Sequence, residues 1–131
     1  MQPAKPRILY LDLDAEDSFT ISTLLEMANY EPITTNFASE ALQLAQSGGF
    51  DLYILSRRFP LNAGVYLCQK LHEISPRTPM IFLSDESHAG REAVRSGSEE
   101  YIMKSKDARE LLASVRHALA EQKSASMAVG F

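Results

Sequence analysis

Four runs of continuous apolar residues constrain this chain most: Ile8-Leu9-Tyr10-Leu11, Leu52-Tyr53-Ile54-Leu55, Met80-Ile81-Phe82-Leu83 and the shorter Tyr101-Ile102-Met103. A strand with one face in water alternates apolar and polar residues. A strand that is apolar at every position is buried on both faces, as in a parallel sheet covered by helices. Ile33-Thr34-Thr35 reads as a weaker strand, and Pro32 before it suits an edge, where a missing N–H removes no ladder bond. Helical periodicity fills the gaps between the runs. Ile21, Leu24, Leu25 and Ala28 recur at helical spacing behind Asp14 and Asp17, a pair in capping-box register. Ala41, Leu42 and Ala45 mark a second helix, ended by Gly48-Gly49. Gly64, Leu67, Cys68, Leu71 and Ile74 mark a third. Ala89, Ala93 and Val94 mark a short fourth that stops at Gly97, and Ala108, Leu111, Leu112, Val115 and Leu119 mark a fifth.

A strand followed by a helix, five times over, predicts an α/β fold. Right-handed crossovers that cover both sheet faces give a doubly wound five-stranded parallel sheet of order 2-1-3-4-5, flanked by five helices. In such a sheet the binding crevice lies at the carboxyl ends of strands 1 and 3, where the winding reverses. The expected domain covers residues 7–120. Residues 1–6 form an N-terminal extension, and the weak periodicity of 121–131 predicts a frayed tail.

Composition narrows the function classes. With 131 residues, 45% of them hydrophobic and 23% charged, the chain has the makings of one globular domain. A net charge of -4 gives no general attraction to nucleic acid or anionic lipid. One cysteine allows no intrachain disulfide, which fits a reducing compartment. No segment has the roughly 20 apolar residues that span a bilayer, and the first residues lack an apolar stretch of signal-peptide length. The expected location is cytoplasmic.

The residues that follow the strands are Asp12-Leu13-Asp14, Ser56-Arg57-Arg58-Phe59-Pro60, Ser84-Asp85 and Lys104-Ser105. Together they resemble the receiver domains of bacterial response regulators, the signalling modules of two-component and phosphorelay systems. Receivers carry an acidic pair after strand 1 and an acceptor aspartate at the end of strand 3, followed by a proline and an Asp-Gly. A Ser or Thr follows strand 4, an aromatic residue lies in strand 5, and a Lys-Pro closes it. The resemblance runs in register from Arg7 to about Leu119. It places Asp12 on the first acid, Pro60 on the proline and Gly64 on the glycine. It also places Ser84 on the switch hydroxyl, Tyr101 on the switch aromatic and Lys104 on the lysine. The implied fold is flavodoxin-like and receiver-type. The stretch between Ser84 and Lys104 is about two residues shorter than the family pattern, so the fourth helix has loose bounds.

The departures fall on the chemistry. Leu13 stands at the second acid, a direct metal ligand in the family, and Ser56 stands at the acceptor aspartate. Asp85 stands where the family prefers a small residue, and Ser105 replaces the proline after the lysine. Receiver phosphorylation needs a carboxylate nucleophile and a divalent ion to offset charge on the phosphoryl oxygens. Magnesium takes oxygen ligands, commonly through one or two carboxylates. A serine nucleophile would need an adjacent base, and His72, His88 and His117 are scattered without ligand spacing. The resemblance therefore implies a degenerate pseudo-receiver: no metal, no cofactor, no enzymatic activity, and Asp12 and Asp85 left as a remnant acidic pocket. Arg58 or Lys104 is the expected pocket cation, able to pair with those acids in place of the metal.

Plainer readings stand beside these. Asp14 reads as a helix cap more than as a pocket acid, and Cys68, on an apolar stripe, reads as core. Arg57 and Arg58 fit solvated surface charges, and only one of them would reach the crevice. Three functions stay open. One is a phosphorylation-independent module that binds a sensor kinase, phosphotransfer or output protein, or a second copy of itself. It would do so through helix 1 or through the face made by helix 4, strand 5 and helix 5. Another is an active phosphorelay receiver with a non-standard acceptor, such as Asp12 or Asp85. The third is a small-molecule-binding flavodoxin-like protein, disfavoured because no strand end carries a glycine-rich phosphate cradle.

Overall fold

The computed structural model of the chain describes residues 5–56, 61–84, 100–103 and 108–129. In chain order the elements are β1 (Arg7–Leu11), α1 (Ala15–Met27), β2 (Glu31–Thr35), α2 (Ala38–Ser47), β3 (Leu52–Ser56), α3 (Leu61–Ile74), β4 (Met80–Ser84), β5 (Glu100–Met103) and α4 (Ala108–Val129). The strands form one sheet of order β2-β1-β3-β4-β5. All four pairings are parallel. The expected sheet is observed, with Pro32 on the edge strand β2. The helix expected between Ala89 and Gly97 lies outside the described residues. The last helix continues to Val129, past the boundary at 120 that its periodicity suggests.

The apolar runs are continuous because successive residues feed two separate cores. Leu9, Leu11, Tyr53, Leu55 and Met80 face Ala41 and Ala45 of α2 and Leu67, Cys68 and Leu71 of α3. Ile8, Tyr10, Leu52, Ile54, Ile81 and Leu83 face Leu25 of α1 and Leu111, Val115 and Ala118 of α4. Each fully buried aliphatic side chain contributes about 1.5–3 kcal/mol relative to exposure, so the positions from Ile8 to Leu11 and from Leu52 to Leu55 are held alternately by one layer and the other. Cys68 is fully buried, which bears out its reading as core.

The helix ends are set locally. Asp14 caps α1, its side chain accepting from the Asp17 backbone N–H at 3.0 Å. At the other end Asn29 takes a left-handed φ of 74°. There the Asn29 N–H donates to Glu26 O and the Tyr30 N–H to Leu25 O, each at 3.0 Å. This paired closure satisfies carbonyls that the helix would otherwise leave open. Gly48, at the end of α2, has a φ of 79°, a conformation that costs glycine least. These turns deliver β2 and β3 into parallel register with β1 and bring their carboxyl ends level. Leu11 pairs with Thr35 on one side and with Leu55 on the other.

Candidate functional site

Asp12 is the first residue beyond β1, and Ser56 is the last of β3. Because Leu11 pairs with Leu55, Asp12 and Ser56 follow equivalent rungs and sit side by side at the carboxyl edge. On the far side of β3, Ser56 pairs with Leu83, and Ser84 pairs with Met103. The topology thus brings the backbones of Asp12, Ser56 and Ser84 to one edge, as expected. Tyr101, in β5, pairs with Phe82 of β4. Asp85, Arg57, Arg58, Pro60 and Lys104 lie outside the described residues, and with them the expected pocket cation.

Asp12 is fully buried and held on every side that the structure describes. Its Oδ2 accepts from the Tyr10 hydroxyl at 2.5 Å, and its Oδ1 accepts from the Asp14 backbone N–H at 2.9 Å. Its backbone N–H donates to Thr35 O at 3.1 Å, and its carbonyl accepts from Asn36 Nδ2 at 2.6 Å. A buried carboxylate persists only with such partners. Burial and the bond to Asp12 push the Tyr10 hydroxyl well above the ordinary tyrosine range, with the charges of Asp12, Asp17 and Asp14 acting in the same direction. The same burial and bond favour the protonated, donating form of the phenol.

Leu13, the next residue, offers no ligand oxygen from its side chain and is 44% exposed. Asp14 serves as the cap of α1. Among the described residues no group of three or more His, Cys, Asp or Glu side chains could hold a metal ion. The described donor set at this edge is short of the carboxylates that commonly hold a divalent ion: Asp12 is its buried carboxylate, already bonded through both oxygens, and Leu13 beside it brings no ligand oxygen from its side chain.

Tyr10 and Asn36 were the contacts that sequence reasoning missed. Tyr10 carried a signal. It lies two residues before Asp12, so the two share a strand face, and a buried phenol nearly always finds a hydrogen-bond partner. Asn36 carried none, because its contact depends on where β2 ends.

The family profile described as the response regulator receiver domain matches residues 8–116. The chain belongs to that family. It is 34% identical over 112 residues to the nisin biosynthesis regulatory protein NisR of Lactococcus lactis subsp. lactis, a match covering 83% of this chain and 48% of that protein. It is 30% identical over 116 residues to the response regulator ArlR of Staphylococcus aureus (strain Mu50), covering 84% and 52%. The receiver thus spans about half the length of these relatives. Among solved structures it resembles a CheY-like receiver domain protein from Methanospirillum hungatei JF-1. The TM-score is 0.84 at 26% identity, over 92% of this chain and 98% of the other. The signal receiver domain of an HD domain-containing protein from Pseudomonas fluorescens Pf-5 gives a TM-score of 0.86 at 28% identity, over 97% and 96%. No helix of the described residues is long and apolar enough to cross a membrane.

Proposed function

We propose that this receiver is a pseudo-receiver: a phosphorelay interaction module whose binding to its partner does not depend on phosphorylation. The observation that carries the reading is the state of the crevice. The positions that correspond to the second acid and to the acceptor are Leu13 and Ser56, and Asp12, the fully buried acid among the described residues at this edge, has both carboxylate oxygens engaged by Tyr10 and Asp14. A carboxylate so buried and so bonded is also a poor replacement nucleophile, which weighs against Asp12 as an alternative acceptor.

The proposed partner is a sensor kinase, a phosphotransfer protein or an output domain, reached through α1. That helix leaves Phe19 73% exposed and Met27 79% exposed. These apolar side chains are available to a partner surface. Incubation with magnesium and acetyl phosphate, followed by intact-mass measurement, tests the proposal. The expected result is an unchanged mass. A gain of one phosphoryl group on the wild-type chain overturns it.

A further inference from the structure

We infer that Tyr10 is a positioning residue of the crevice: its hydroxyl latches the Asp12 carboxylate inward and withholds it from a divalent metal ion. The inference rests on the pseudo-receiver reading and adds the device that maintains it. The Tyr10 ring is fully buried in β1, in the core that includes Leu25 of α1 and Leu111, Val115 and Ala118 of α4. Its position is therefore fixed by packing from two helices rather than by the crevice itself. From that anchor the hydroxyl reaches Asp12 Oδ2 at 2.5 Å. The other oxygen is taken by the Asp14 N–H, within the turn that also places the α1 cap. One oxygen is thus tied to the helical layer and the other to the β1–α1 turn. Reorienting the carboxylate towards an ion would break a charge-assisted bond and leave a buried phenol without its acceptor, two costs that act together.

The bond to Tyr10 is the one that a single-atom change can remove. Tyr10→Phe keeps the ring, its packing and every backbone contact. Tyr53→Phe is the matching control. Tyr53 is buried in the opposite core, and its hydroxyl bonds towards Ser75 and Thr78, away from Asp12.

The experiment measures magnesium affinity by calorimetry on the full chain in a Leu13→Asp/Ser56→Asp background, which supplies the carboxylates that a cation needs. Adding Tyr10→Phe should tighten magnesium about tenfold, or ~1.4 kcal/mol, and adding Tyr53→Phe should not. Equal affinity with and without Tyr10→Phe overturns the latch, as does equal tightening by both tyrosine variants. A second readout needs no engineered background. The Tyr10 hydroxyl proton of the wild-type chain should give a resonance protected from solvent exchange, and the Asp12 side-chain carboxyl ¹³C shift should move in Tyr10→Phe. A rapidly exchanging hydroxyl with an unmoved Asp12 carboxyl rejects the latch even if the engineered variants fail to fold. Failure of the pseudo-receiver reading is seen separately, as phosphoryl mass gained by the wild-type chain.

Discussion

Asn36 reaches from the end of β2 to the Asp12 backbone carbonyl, with Nδ2 to O at 2.6 Å. The contact spans the outer edge of the sheet and holds the β1–α1 turn against the β2–α2 turn, beside the Asp12 N–H that donates to Thr35 O. Asn36→Ala removes one part-buried hydrogen bond, so unfolding free energy should fall by about 1 kcal/mol. Urea denaturation measures this. Asn36→Asp should fare no better, because a carboxylate cannot donate to a carbonyl oxygen. A variant as stable as the wild type would show that the turn is held without this bond.

Asp14 supplies a second local prediction. Its side chain accepts from the Asp17 N–H at the start of α1. Replacing such a cap with alanine costs about 0.5–2 kcal/mol, while asparagine preserves most of the effect. Asp14→Ala should lower the urea midpoint and Asp14→Asn should nearly restore it. If the two variants are equally destabilised, the charge of Asp14 matters more than its capping geometry.

Cys68 gives the pH-dependent case. Burial pushes its thiol up to about 12, from an ordinary value near 9. The folded state therefore holds the proton more tightly than the unfolded chain does. The stability linked to this group is complete below pH 9 and is lost as the pH rises towards about 12. Labelling by a disulfide reagent at pH 8 should be slow and limited by opening of the core. It should accelerate when the neighbouring core residue Leu71 is changed to alanine, a truncation that costs about 2–5 kcal/mol. Fast labelling of the folded wild type would contradict the burial.

The sheet was legible in the sequence because both faces of β1, β3 and β4 are covered, so burial left an uninterrupted apolar signature. The site was legible in part. Strand-end positions follow from topology, which places Asp12 beside Ser56. The partner of Asp12 was harder to see. In the sequence Tyr10 reads as one more apolar residue of a core strand. Its ring is that, but its hydroxyl belongs to the crevice. Periodicity assigns a whole residue to a face and cannot divide an amphipathic side chain between core and site. The extension of α4 to Val129 was missed for a related reason, since a helix end with a weak apolar stripe has no pattern to announce it.

Ser56→Asp restores a carboxylate at the end of β3 but only one ligand charge. Magnesium needs an octahedral set of oxygens and is commonly bound through one or two carboxylates. In the single variant Leu13 still offers no ligand oxygen from its side chain, and Asp12 is still held by Tyr10 and Asp14. Without the ion, charge on the transferring phosphoryl group is poorly offset, and transfer from a small phosphodonor stays slow. Ser56→Asp alone should therefore show no phosphoryl mass gain with acetyl phosphate and magnesium. Leu13→Asp/Ser56→Asp should gain label at least about tenfold faster, a difference of ~1.4 kcal/mol in the barrier. Intact-mass time courses at fixed magnesium separate the two. Full labelling of the single variant would show that the position of Leu13 is not what limits the site. An unlabelled double variant that nevertheless binds magnesium would place the block after ion binding, in access of the phosphodonor to the rebuilt acceptor.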